Sequence, residues 1–244
     1  MAPESGLMQT APKLWPPHPD VWRAGDTVTD VPAGLPTGFA ELDRALPGGG
    51  WPVSDITELL CEGRGYGELS LLLPMLSACS RNDGWIVWVA PPAVPHLPAL
   101  SAAGIVTSRL LIIQAGSVGE RTWALRQALE SEACTAVVGW LEGMDMASLR
   151  RLHLAVRNTS VPLMLFRPAS AAQAASPAVL RLRLGAGEQG SLQIDILKRR
   201  GRPSDGSINL VTRPGLAAAV APGQSKSSSK IARQRGSTAL RLIA

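Results

Sequence analysis

A glycine-rich stretch is the part of this sequence with the clearest potential for chemistry. Residues 59–72 read LLCEGRGYGELSLL, so an apolar run enters a loop containing Gly63, Gly65 and Gly67 and leaves into a helix-like segment. Strand, glycine loop and helix in this order are typical of phosphate-binding loops, whose backbone N–H groups surround the phosphates. Such a loop also needs a lysine for the β- and γ-phosphates and a hydroxyl for Mg²⁺. Here Glu68 and Leu69 stand at those two positions.

The charge at Glu68 opposes nucleotide binding. At about 4 Å, two like unit charges repel by about 4 kcal/mol at an effective dielectric near 20. Backbone N–H groups at a helix start still attract anions, but the helix dipole contributes only ~0.3–1 kcal/mol. We therefore favour a plain strand-to-helix turn with the shape of a phosphate loop, and we predict no cofactor.

A second candidate group is basic and follows the last strand-like segment, SLQIDILKR. It consists of Lys198, Arg199, Arg200 and Arg202. One interpretation is a charged sheet edge that resists aggregation. The other is a binding patch for a protein partner or for DNA, and DNA binding would then weaken steeply with salt.

Other kinds of site find little support in the sequence. His96 and His153 have no neighbouring nucleophile and acid in a hydrolase pattern, and no His/Cys/Asp cluster has metal-ligand spacing. The three cysteines are scattered without a CxxC pair, which is typical of reduced thiols. There is no apolar run of about 18 residues and no export signal, so we expect a cytoplasmic protein without a membrane segment.

Alternating strand-like and helix-like blocks must position these residues. Five apolar blocks read as buried strands, with helical segments between them: DITELL, GWIVWVAP, RLLIIQA, TAVVGWL and VPLMLFRP. This pattern predicts an α/β fold with a mostly parallel sheet and helices on both faces. VLRLRL and SLQIDILKR alternate with period two around GAGEQG, which predicts a C-terminal antiparallel hairpin. Trp85, Trp88 and Trp140 lie on strands, where packing in the core is expected.

The charge is unevenly distributed along the chain. The sequence has 24 Lys and Arg against 19 Asp and Glu, a net charge of +5, yet residues 215–244 contain basic residues and no acid. We predict an extended N-terminal arm at 1–33, a core domain at 34–213 and a flexible basic tail at 214–244. The tail either reaches an anionic partner or only aids solubility. Its last residues, TALRLIA, are apolar enough to dock as a short segment.

Three phrases resemble the core of RecA recombinase. They are LPTGFAELDRALPGGGWP at 35–52, RLLIIQAGSVGERTWALRQAL at 109–129 and LKRRGRP at the basic strand end. The resemblance covers residues 34–213 and implies a RecA-like, P-loop NTPase-type fold. It also implies no ATP hydrolysis, because Gly139 and Trp140 stand where the metal-binding aspartate would end its strand, and APPAVP replaces the segment with the catalytic glutamate.

A second resemblance concerns the middle of the chain. The stretch LSLLLPMLSACSRNDGWIVWVAPPAVPHLPALSAAGIVTSRLLII, together with VVGWL and FRPASAA, resembles SulA, the SOS-induced inhibitor of bacterial cell division. Together with the leader at 35–52, the KRRGRP segment and the tail, the whole resembles ImuA, a RecA-like accessory protein of translesion synthesis.

The resemblance to ImuA implies a non-catalytic adaptor in SOS-induced, error-prone translesion DNA synthesis. Its partners would be RecA, the polymerase-like ImuB and, indirectly, a DnaE-type polymerase, and the basic strand end would cap a RecA filament. The alternative is a SulA-type division inhibitor that binds FtsZ. A second alternative is an active RecA-family ATPase.

Overall fold

A computed structural model describes residues 31–200 and 206–212, and the backbone of 241–243. Nearly all of the predicted N-terminal arm and most of the predicted tail lie outside these residues, as does Arg202. The predicted domain boundaries therefore stay predictions.

The described residues form one nine-stranded sheet in the order β8-β7-β6-β1-β5-β4-β2-β3-β9. Strands β1 to β6 run parallel to one another, whereas β7, β8 and β9 are antiparallel to their neighbours. The strands are β1 Ile56–Cys61, β2 Trp85–Val89, β3 Leu110–Gln114, β4 Cys134–Trp140, β5 Leu163–Pro168, β6 Leu180–Ala186, β7 Leu192–Lys198, β8 Ser207–Leu210 and β9 Arg241–Ile243.

The burial of the strands follows the two patterns seen in the sequence. Strands β1 and β5 are buried at every position except the last, as expected for strands covered on both faces. Strand β7 instead alternates buried and half-buried residues along most of its length. The predicted mixed α/β fold, with a mostly parallel sheet and a C-terminal antiparallel hairpin, is confirmed.

In the described part of the chain, five α-helices cover the two faces of the sheet. They are α1 Ala40–Ala45, α2 Leu73–Ser80, α3 Leu97–Ala102, α4 Val118–Glu130 and α5 Met146–Arg157. One buried apolar cluster joins the sheet to α1, α2 and α3, and a second joins it to α4 and α5. Among the described residues, no helix is long and apolar enough to cross a membrane.

Local sequence explains where the helices begin. Helix α4 starts with a capping box, in which Ser117 and Glu120 each bind the backbone N–H of the other. At α5 the Asp145 carboxylate accepts the backbone N–H of Ser148 at 2.7 Å. Helix α2 starts later than the sequence predicts, because Pro74 has no N–H and is tolerated only in a first turn. A 3-10 turn, Leu69–Leu71, precedes it.

The glycine-rich leader is an ordered part of this domain. Leu35 and Trp51 pair as an isolated β-bridge, and Trp51 is fully buried. Gly50 allows this approach, since a Cβ there would lie 2.1 Å from the carbonyl oxygen of Leu35. The segment before β1 therefore closes over one end of the core.

Candidate functional site

An open crevice lies where the carboxyl ends of the parallel strands meet. Its volume is about 540 Å³, and it is lined by residues that follow β1, β2, β3, β4 and β5. Ligands of parallel α/β sheets bind at this edge. The crevice is therefore the place to examine the predicted glycine loop.

The glycine loop has the backbone of an anion-binding turn, but the Glu68 carboxylate already accepts one of its backbone N–H groups. Gly65 and Gly67 have φ values of 87° and 99°, in the left-handed region that favours glycine. The Gly65 N–H donates to both carboxylate oxygens of Glu68, with N–O distances of 3.2 and 3.1 Å. The side chain at the lysine position thus turns back and supplies the negative charge that a phosphate would bring.

The neighbouring predicted residues have packing contacts. Leu69, which stands where a phosphate loop has its metal-binding hydroxyl, is half-buried and packs against the apolar cluster under α2. Gly63 lies beside the ring of Tyr66, whose hydroxyl donates to the carbonyl of Leu184 at 3.0 Å. Burial raises the pKa of the nearby Cys61 thiol to about 11, which keeps it protonated near neutral pH.

Aromatic side chains at the ends of β4 and β5 line part of the crevice. Trp140 stacks on Phe166 with ring centroids 5.2 Å apart, and it meets Trp88 edge-on at 5.4 Å. A Cβ at Gly139 would lie 3.0 Å from Leu125, so the strand end is tightly packed. The prediction that strand tryptophans pack in the core is confirmed for Trp88, which is 1% exposed, and is wrong for Trp85, which is 45% exposed.

The structure brings together features that are far apart in the sequence. The glycine loop, the pair Pro91 and Pro92, and Trp140 all line this crevice. Its lining carries three acidic and three basic side chains, namely Glu62, Glu68, Glu142, Arg64, Arg121 and Arg167. Arg64 and Glu142 are paired at 3.1 Å. The crevice therefore has no excess of positive charge to attract a triphosphate.

A buried ionic network beneath the crevice was not predicted. Glu58 is fully buried and accepts hydrogen bonds from Arg167 Nη1 at 2.6 Å and from Arg181 Nε at 2.7 Å. The Ser176 hydroxyl donates to the same carboxylate at 2.9 Å. Arg181 also donates to the carbonyls of Ala171, Ala172 and Ala174. The sequence signal was a glutamate inside the apolar segment DITELL and arginines inside VPLMLFRP and VLRLRL, since buried charges require partners.

The predicted basic strand end lies at the end of the sheet opposite the crevice, where the parallel strands begin. Lys198 ends β7 opposite the start of β6, near the amino ends of the parallel strands. Its ammonium donates to the Ser176 carbonyl at 3.0 Å, and Arg199 donates to the Ala45 carbonyl. Arg200 pairs with the buried Asp55 at 2.9 Å. These three residues contact the chain itself, and their role toward a partner stays a prediction.

Asp55 connects this basic segment to a helix. One of its carboxylate oxygens lies 3.2 Å from Nδ1 of His153 on α5, while the other binds Arg200. The arrangement joins the start of β1, helix α5 and the end of β7. Within the part of the chain that the structure describes, no group of three or more His, Cys, Asp or Glu side chains is arranged to hold a metal ion.

Comparison with known proteins supports the resemblance to SulA. The chain is 33% identical over 98 residues to the cell division inhibitor SulA of Edwardsiella piscicida, covering 38% of this chain and 58% of that protein. It is 26% identical over 99 residues to SulA of Serratia marcescens, covering 39% of this chain and 59% of that one. The chain thus spans less than two thirds of the length of these relatives. No family model matches it.

One solved structure is also similar to this chain in part. The crystal structure of SulA from Pseudomonas aeruginosa is 27% identical and covers 48% of this chain, with a TM-score of 0.40. A TM-score of this size carries no argument about a common fold. A little under two fifths of the chain is therefore homologous to SulA-type division inhibitors. The comparisons do not support the resemblance to ImuA, and the RecA-like assignment of the fold stays a prediction.

Proposed function

We propose that this chain is a non-catalytic binding protein of the bacterial SOS response, acting in the cytoplasm and related to SulA. The observation that supports the proposal is that the Glu68 carboxylate accepts the Gly65 N–H, a backbone donor that a phosphate would need. Such a protein would keep the scaffold of a nucleotide-binding domain and use its surfaces for partners.

Several features of the crevice argue against ATP turnover. Glu68 repels a triphosphate, Leu69 has no hydroxyl for Mg²⁺, and Trp140 occupies the strand end where a metal-binding aspartate would lie. We expect no ATP hydrolysis above background, with or without single-stranded DNA. DNA-stimulated hydrolysis by the pure protein that disappears in Gly67→Ala would instead identify an active ATPase and overturn the proposal.

The comparisons favour a division inhibitor as the first function to test. The 33% identity to a SulA chain is the strongest similarity reported above, and SulA is named a cell division inhibitor. On this proposal the chain binds FtsZ and stops its assembly. Expression in a host without its own SulA should then produce filamentous cells, and the purified chain should slow FtsZ polymerisation.

A translesion-synthesis adaptor is the second candidate, and a specific observation favours it. The similarity to SulA covers only 38% of this chain. A stretch of that length cannot contain all nine strands, yet the nine strands form a single sheet. The closed leader around Trp51 and the β7–β8 edge with its basic strand end offer surface for further partners. On this proposal those partners are RecA, ImuB and, through ImuB, a DnaE-type polymerase.

Parallel binding measurements separate the two candidates. The immobilised chain is exposed to FtsZ, ImuB and RecA at equal concentrations, and filamentation and damage-induced mutation are scored in cells. Binding to FtsZ with filamentation supports division inhibition. Binding to ImuB or RecA, with reduced mutation after deletion of the gene, supports the adaptor.

The basic strand end is tested with a single charge reversal. Lys198→Glu should weaken RecA binding at least tenfold if this segment contacts the filament. Arg183→Glu is the matched control, because Arg183 is also an exposed cation on the hairpin, paired with Asp195 at 2.8 Å. Equal RecA affinity for both variants and the unchanged protein would remove the segment from the interface.

A further inference from the structure

The outer edge of β3 is covered by the last residues of the chain. Strand β9 pairs with it antiparallel, with Ile112 opposite Ile243, Ile113 opposite Leu242 and Gln114 opposite Arg241. Without β9, β3 would be the edge strand on this side of the sheet. The backbone groups along its outer side would then lack strand partners.

The chain reaches this edge from the far side of the sheet. Strand β8 lies at the opposite edge, so the shortest path to β9 crosses eight strand spacings of about 4.8 Å, or roughly 40 Å. Residues 213–240 make this connection, and at about 3.3 Å per residue they extend to roughly 90 Å. The number of residues in this connection is therefore more than the crossing requires.

The composition of β3 determines what can bind its edge. Its sequence is LLIIQ, with Leu110 and Ile112 buried in one apolar cluster and Leu111 and Ile113 packed partly against the other. An added strand with apolar side chains extends both clusters. Edge addition of this kind draws affinity from main-chain hydrogen bonds and specificity from alternate side chains.

We propose that the outer edge of β3 is a strand-acceptor surface for an extended apolar segment of a partner protein, and that Arg241–Ile243 is its tethered competitor. The cis strand has three residues, which limits the number of main-chain bonds that a partner must replace. Release of this strand opens the surface. The surface differs from both the crevice and the basic strand end.

A peptide with the sequence of residues 238–244, TALRLIA, tests this surface in the full-length protein. Leu242→Pro removes a backbone donor from β9 and weakens the cis pairing. By fluorescence anisotropy, the labelled peptide should bind this variant at least tenfold more tightly than the unchanged protein. The peptide TALRPIA is the matched control and should bind neither. Amide exchange at Ile112–Gln114 should be faster in Leu242→Pro than in the unchanged protein.

A disulfide lock provides the reverse test. In a background with Cys61, Cys79 and Cys134 changed to Ala, the pair Ile113→Cys and Leu242→Cys places two thiols at opposed positions of β3 and β9. The oxidised protein should not bind the peptide, and reductant should restore binding. The pair Val211→Cys and Leu242→Cys is the control, because Val211 is exposed beside β8 at the other edge.

Three outcomes overturn the proposal. Equal peptide affinity for Leu242→Pro and the unchanged protein means that β9 does not compete. No binding to Leu242→Pro, in protein that unfolds cooperatively, means that the edge does not accept a strand. A disulfide that links two molecules makes a second copy of this chain the occupant instead of a partner segment. None of these experiments involves FtsZ, RecA or ImuB, so their failure leaves the proposed function unaffected.

Discussion

Replacing Glu58 by glutamine should destabilise the domain far more than the loss of an exposed charge. The Glu58 carboxylate is fully buried between the guanidinium groups of Arg167 and Arg181, whose side chains are 5% and 9% exposed. Glutamine keeps the shape of the side chain but removes the only negative charge that the described residues place within hydrogen-bond distance of these two cations. Glu58→Gln therefore isolates two buried positive charges in one step.

The expected magnitude follows from the burial and geometry of these pairs. Removal of one partner from a buried ion pair costs ~3–5 kcal/mol, because the remaining charge stays desolvated. Both contacts to Glu58 are short, at 2.6 and 2.7 Å, which supports the upper part of that range. For a domain of this size, each kcal/mol lowers Tm by about 2–4 °C. The Tm of Glu58→Gln should therefore fall by roughly 8–20 °C.

Urea unfolding followed by tryptophan fluorescence measures this loss. The matched control is Asp195→Asn, which removes a carboxylate that binds Arg183 at 2.8 Å on the more exposed hairpin. This pair is partly exposed. Exposed pairs contribute ~0–1 kcal/mol, so this variant should lose no more than about 1 kcal/mol at neutral pH.

A specific result would refute this reasoning. If Glu58→Gln lost no more stability than Asp195→Asn, with the same dependence on urea, the buried network would not hold the centre of the sheet. The segment after β5 gives a second readout, because Arg181 donates to three carbonyls there. Amide exchange should rise in residues 169–177 of Glu58→Gln and stay unchanged in Asp195→Asn.

Three further predictions follow from single groups. Asp145→Ala removes the N-terminal cap of α5 and should lower the free energy of unfolding by about 1 kcal/mol in urea titrations. Burial raises the pKa of Cys61 to about 11, so iodoacetamide at pH 8 should label this thiol much more slowly in the folded protein than in urea. Hydrogen bonds from Ser207 and Arg183 lower the pKa of Asp195. Its contribution to stability is therefore present above the unfolded pKa near 4 and is lost as the pH falls through the folded value, so Asp195→Asn should flatten the acid limb of stability against pH.

Sequence patterns predicted the parallel sheet and the hairpin because those elements follow from local hydrophobic periodicity. Strand β5, for instance, is a continuous apolar run, and β7 alternates as its sequence does. Periodicity carried no information about the partners of Glu58, which lie 109 and 123 residues further along the chain. The pairing of β9 with β3 could not be predicted for the same reason, since about half of the chain separates the two strands.

The candidate site was predicted in its parts but not in its contacts. The sequence identified Glu68, Leu69, Gly139 and Trp140 as substitutions in a nucleotide-binding pattern. It could not show that the Glu68 side chain turns back onto Gly65, because that contact depends on the backbone conformation of the loop. The expectation for Trp85 was wrong for a different reason. An aromatic residue in a strand was expected in the core, but the position of Trp85 at the start of β2 leaves it exposed.

The contact between Glu68 and Gly65 gives the glutamate a structural role of its own. A phosphate loop without phosphate leaves backbone donors unsatisfied, and the left-handed glycines that aim them are costly to order. Glu68 meets this need from three residues away, because its carboxylate accepts the donor that a ligand would otherwise bind. The substitution that opposes nucleotide binding therefore also stabilises the empty loop. A loop stabilised from within is what the proposed function, binding other proteins without nucleotide, would require.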